Sequence, residues 1–166
     1  MGGRRAISLS ARETLPWIYQ FTLTTFEPII AILGAVQTFF VPASYLSTLT
    51  RDAVKLDPAT TFLYTGYVGI WLYFAFIELV VLRLYDDLRL WKLLSLGMLL
   101  SDAFYAHSVA QAVGGWQAWA SVGEWTTKDT IVLASTAPQV VIRVLMLLGI
   151  GERVPKKAAG KYGKAA

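Results

Sequence analysis

The sequence contains no cysteine and a single histidine. Disulfide scaffolds, thiolate zinc sites, iron–sulfur clusters and cysteine nucleophiles are thereby excluded, and a His-rich metal site cannot be assembled. One histidine with carboxylates offers only a weak metal site, so neither a metal nor another cofactor is expected. Charge is scarce as well: 16% of residues are charged against 55% hydrophobic, far from the balance of a water-soluble domain. The apolar runs lack apolar–polar alternation, which argues against a β-barrel. The net charge of +4 lies outside those runs and crowds the final stretch "RVPKKAAGKYGKAA". That pattern suits membrane topology and anionic lipid headgroups, and no nucleic-acid partner is expected.

What the chain does have is hydrophobic length. A spanning helix needs about 20 mostly apolar residues. Four stretches qualify: Trp17 to Phe40, closed by Pro42; Thr60 to Leu82; Trp91 to Val113; and Thr127 to Ile150, closed by "GIGERVP". The expected fold is all-α and integral to the membrane: a four-transmembrane-helix bundle over residues 17–150, a cytosolic lead over 1–16 and a basic cytosolic tail over 151–166. The lead "MGGRRAISLSARETLP" has no signal-peptide core, and its Met-Gly start departs from a myristoylation site at Ala6. Four spans put both termini on one side, with Arg4, Arg5, Arg12, Arg83, Arg89, Lys92, Arg153 and the tail lysines. The other side holds Arg51, Lys55 and Lys128, so the positive-inside rule places both termini in the cytosol. Trp17, Trp91, Trp116, Trp119 and Trp125 fall near span ends as interfacial anchors should. "DAVKLDP" and "LYDDLRL" read as solvated loops.

Five ionisable residues interrupt the spans: Glu27, Glu78, Asp102, His107 and Arg143. Each costs about 2.5 kcal/mol or more at a helix centre, so they are expected to face one another or a water-filled cavity. At 1.5 Å rise per residue, Glu27 and Asp102 lie about 15 Å from the cytosolic ends and Arg143 about 12 Å, with Glu78 shallower. His107 lies deeper, and its spacing from Asp102 does not require a shared face. Three carboxyls against one guanidinium cannot be neutral with every group ionised, and a carboxyl that keeps its proton relieves this. A protonated acid beside a carboxylate is the arrangement of general acid–base chemistry. Pro28, next to Glu27, is expected to kink the first span and widen the bundle at that depth, with Pro138 and Gln139 doing the same before Arg143. Plainer roles stand beside these: Arg143 as a bundle lock, Glu78 snorkelling toward the interface, His107 as a packing residue. The aromatics of "YTGYVGIWLYFAF", Trp71 and Tyr73 among them, suit packing as well as a pocket wall.

At these same residues the chain resembles a known group. "FEPIIAILGAVQTFFVPASYLSTLT", "ELVVLRLYDDLRLWKLLSLGMLLSDAFYAHS" and "RVLMLLGIG" resemble a family of small fungal four-span membrane proteins catalogued as a domain of unknown function. That family is similar in layout to the EXPERA proteins, which include a sterol isomerase and the sigma-2 receptor. The resemblance implies a lipophilic ligand among buried carboxylates and, from relatives in polyketide or terpenoid pathways, epoxide opening or cyclisation. In the third span the family pattern puts His three residues after Asp, where this chain has Tyr105, with His107 and Ser108 following. A mechanism using that earlier His does not carry over, and the Tyr105 hydroxyl is the expected donor to Asp102 in its place. The expected site is therefore Glu27, Asp102, Glu78, His107, Arg143 and Tyr105, with Pro28, Trp71, Tyr73 and Gln139 around the substrate. The expected partners are a lipophilic substrate and membrane lipids, with a homodimer left open, in the endoplasmic reticulum. An alkene isomerase or terpene cyclase and a non-enzymatic lipid binder remain the alternatives.

Overall fold

The computed structural model describes residues 9–153. Arg4, Arg5, the Met-Gly start and the tail lysines lie outside them. The described chain is helical, and four helices are long and apolar enough to cross a membrane: Trp17–Phe40, Pro58–Leu84, Leu88–Ala112 and Thr127–Leu147. The second span is longer at both ends than its apolar run predicts. The third starts earlier, at Leu88, because Asp87 caps it by accepting from the amides of Arg89 (2.8 Å) and Leu90 (3.2 Å).

Local chemistry sets the ends of each span. The fourth opens on a capping box, in which the Thr126 side chain and Asp129 bond reciprocally to each other's backbone amides. It closes at Leu147 in a Schellman motif: Gly149, at φ 72°, donates to Met146 O (3.1 Å) and Ile150 to Leu145 O (2.9 Å). The expected end at Ile150 thus falls after the helix has turned. Pro42 does close the first span, but it also starts a short helix, Pro42–Leu49, as proline at a first helical position favours.

The first and second spans pack along most of their length, and the third packs on the fourth. At the end of the bundle that bears both termini, Leu15, Tyr19, Leu23, Leu82, Trp91 and Met146 form a sealed core. Residues 10–15 pack onto this end of the bundle: Ala11 and Leu15 are core residues, and Asp86 accepts from Ser10 Oγ (2.6 Å) and Arg12 N (2.9 Å). "LYDDLRL" is exposed between the second and third spans from Leu84 to Asp86, as expected of a loop, and in addition its Asp86 holds residues 10–12 and its Asp87 caps the third span. One expectation, that of Trp91, is corrected here. Trp91 is no interfacial anchor, being 1% exposed and donating from Nε1 to Tyr85 O at 2.8 Å. The described ends of the chain meet where Arg153 N donates to Thr14 O (2.8 Å).

Large apolar side chains such as Leu33, Phe40, Phe62, Leu93, Leu100, Phe104 and Ile131 are exposed all round the bundle. In water so much apolar surface would drive aggregation; in lipid it is the solvated face. The chain is a multi-pass membrane protein.

Candidate functional site

Each span brings one charged side chain to a single point. The guanidinium of Arg143, fully buried, stands at the centre. Its Nη1 donates to Asp102 Oδ2 at 2.5 Å, and its Nη2 donates to Glu27 Oε1 and to Glu78 Oε1, the latter at 3.0 Å. Met98 Sδ lies 3.4 Å from Nη2, and the Phe74 ring centre lies 5.9 Å from the guanidinium carbon. The planar fork of arginine suits this task, since it aims donors at several carboxyls at once.

The backbone bends to make the meeting possible. Thr22–Phe26 in the first span and Ile77–Val81 in the second are single π-helical turns, and they touch one another. A π turn takes in an extra residue and re-aims the side chains around it, and such turns are frequent at functional sites. Glu27 directly follows the first, and Glu78 lies within the second. Pro28 explains the first turn. It cannot bond the carbonyl of Thr24 one turn back, and that carbonyl instead accepts from Arg83 Nη2 at 2.6 Å. A π turn stands where a kink was expected, and Pro28 is itself buried in the helix packing rather than on the pocket wall.

Above the cluster lies a cavity of about 180 Å³. Glu27, Asp102 and Gln139 give its polar floor, Tyr67, Trp71, Phe74, Phe104 and Tyr105 its aromatic walls, and Ser101, Ser108 and Thr136 add hydroxyls. Glu78 and Arg143 do not reach it. The three carboxyls therefore split: Glu27 and Asp102 face the cavity, while Glu78, 0% exposed, stands behind them. Asp102 is the most open of the three, with its side chain 17% exposed. Glu78 does not snorkel toward the interface. Gln139 donates to Ser135 O, leaving its Oε1 buried and unpartnered, as are Oε2 of both glutamates and Nε of Arg143. Buried polar atoms without partners are uncommon and call for a reason.

Three expected residues sit elsewhere or act otherwise. His107 is exposed on the far side of the third span, where its Nδ1 accepts from Trp116 Nε1 at 3.1 Å. Five residues of helix carry it away from the Asp102 face. Tyr73 is 58% exposed, on the opposite side of the second span from Trp71, because two helical residues are about 200° apart. Tyr105 lines the cavity but does not donate to Asp102. Its ring meets Trp71 edge to face, with centroids 5.9 Å apart, since its long phenol passes beyond the carboxylate. Sequence reasoning held Tyr67 and Phe74 only as part of the aromatic stretch, and missed Phe104, Ser101 and Thr136. Ser101 and Thr136 carried a signal, one adjoining Asp102 and the other a turn before Gln139.

A motif-sized patch does not account for this layout, since its parts come from all four spans. The chain belongs to the family described as domain of unknown function DUF7704, whose model matches residues 12–153. That range contains every member of the cluster. No curated protein and no solved structure matches the chain.

Proposed function

We propose that the protein is a membrane-embedded acid–base enzyme that opens the epoxide of a lipophilic polyketide- or terpenoid-like substrate. One observation carries this: two carboxyls, Glu27 and Asp102, face a single aromatic cavity while sharing one buried guanidinium. Glu27 and Glu78 bond the same Arg143 Nη2, and each keeps an Oε2 without a partner; a proton on this pair relieves the surplus of negative charge around one guanidinium. Glu27 gives that proton to the epoxide oxygen as the C–O bond breaks. Water or a hydroxyl of the substrate attacks the carbon, and Asp102 takes the proton it releases. Water yields a diol and an internal hydroxyl a cyclic ether. Arg143 and Glu78 hold the two reagents in position and touch no substrate.

The aromatic walls favour a second reading, protonation of an alkene with the cation held over Trp71 and Phe74. We place the end where residues 14 and 153 meet in the cytosol, on the bias of Lys and Arg toward that end, and the protein in the endoplasmic reticulum, on the lipophilic substrate and the lysine tail. The test is mass spectrometry of lipophilic epoxides incubated with purified protein in heavy-oxygen water, and of lipophilic alkenes incubated with it in deuterated water. A labelled diol or an unlabelled cyclic ether supports epoxide opening. An alkene shifted with uptake of solvent deuterium moves the assignment to isomerisation. Binding without any product leaves a lipid-binding protein and ends the enzyme proposal.

A further inference from the structure

Asp102 has a second cavity against it. This one, about 190 Å³, lies between the third and fourth spans, and it shares Asp102, Tyr105 and Thr136 with the first. Its remaining lining is apolar or aromatic, with Val109, Trp119, Val132, Ala137 and Val140 among it. The first cavity by contrast carries Glu27, Ser101, Ser108 and Gln139. Water needs two or more polar partners to stay in such a space, and beyond the shared wall this lining is poor in them. Each cavity alone is small beside the ~300–1,000 Å³ of sites that hold a drug-sized ligand, and the two joined at Asp102 enter that range.

We propose that the two cavities are halves of one slot, and that its ligand is an elongated lipophile with the reacting oxygen in its interior. An oxygenated arm lies along Ser101, Ser108 and Gln139, a plain hydrocarbon arm lies along Val140 and Trp119, and the waist between them sits on Asp102. This rests on the acid–base reading above and adds the shape of the substrate to it. Small epoxides, or epoxides at a chain end, leave one half empty and forgo its binding energy. In a hydrophobic pocket a single methylene is worth about 10-fold or more in kcat/KM.

The test uses internal alkyl epoxides with a diazirine at the hydrocarbon end, in a long-arm and a short-arm version. Crosslinks are mapped by mass spectrometry on wild-type protein, on Ala137→Phe, which fills the second cavity, and on Val140→Ala, which enlarges it. The long arm is expected to label the segments of Trp119 and Val140. In Ala137→Phe that labelling falls about tenfold, and the ratio of long-arm to short-arm kcat/KM falls by a similar factor. Val140→Ala shifts preference toward the longer arm, which keeps the test open if the phenylalanine variant fails to fold. Crosslinks confined to the first cavity overturn the slot, even if the epoxides are turned over. So does labelling of Trp119 that an epoxide-free alkyl diazirine matches and the long-arm epoxide does not displace, which marks a groove for bilayer lipid. The full labelling pattern without turnover upholds the slot and removes the epoxide reaction instead.

Discussion

Among the described residues, two clusters of opposite charges can be set side by side, one within the bundle and one at the end away from residues 14 and 153. At that end Arg51 donates to Asp129 (3.0 Å) and Lys128 to Asp52 (2.5 Å), tying the turn after the short helix Pro42–Leu49 to the start of the fourth span. Two cations meet two carboxylates, and the Asp52 side chain is 69% exposed. Arg51 and Asp52 adopt left-handed φ of 53° and 65°, which costs a non-glycine residue about 1–2 kcal/mol; the ion pairs fix them there. Within the bundle, one guanidinium meets three carboxyls, with exposures between 0% and 17%. The outer cluster is balanced, open to solvent at Lys128 and Asp52 though not at Asp129, and explained by holding a turn. The inner one is over-supplied with carboxyls, and a purely structural lock would need only one. That surplus is what the proposed chemistry uses.

Breaking the comparison starts at its centre. Arg143→Leu strands three carboxyls in a low-dielectric interior and is expected to cost about 3–5 kcal/mol or more, read as loss of the monodisperse peak in size-exclusion chromatography. Arg143→Lys is expected to rescue poorly, because a point charge cannot fork to Glu27, Glu78 and Asp102 together. Next comes Asp102→Asn. It removes a carboxyl from an over-supplied cluster, so the fold should persist while turnover falls about 10²–10⁴-fold. In the outer cluster, Asp129→Asn loses both the Arg51 pair and its part of the capping box, for about 1–2 kcal/mol, seen as a lower Tm with turnover unchanged. The smallest effect belongs to Asp52. The Lys128 ammonium, then the Ser47 hydroxyl, hold its carboxyl below the usual carboxylate range. Its contribution is therefore present at neutral pH and disappears only as pH falls through that lowered value. Asp52→Asn should change Tm little at pH 7 and flatten what acid sensitivity this end has.

The fold was largely legible in the sequence because membrane burial writes itself as length: four apolar runs became four spans. Glu27, Glu78, Asp102 and Arg143 were legible for a related reason, since charges within those runs need one another. Facing was less legible. The 100° helical step carries His107 away from Asp102 and Tyr73 away from Trp71, and two π turns shift the register beside Glu27 and Glu78. Pro28 announced the first of these turns; no proline marks the second, in "IELVV". Trp91 shows the same limit, because an aromatic at a span end reads identically whether it meets lipid or the packed residues 11–15.

The most direct measurement is turnover of a lipophilic epoxide by wild-type protein, Glu27→Gln, Asp102→Asn and Asp129→Asn, each shown to be folded in the same detergent. The account predicts loss of at least about a hundredfold in the first two variants and wild-type rates in the third. Wild-type rates in folded Glu27→Gln and Asp102→Asn would contradict it, and would return the inner cluster to the structural role that the outer one plays.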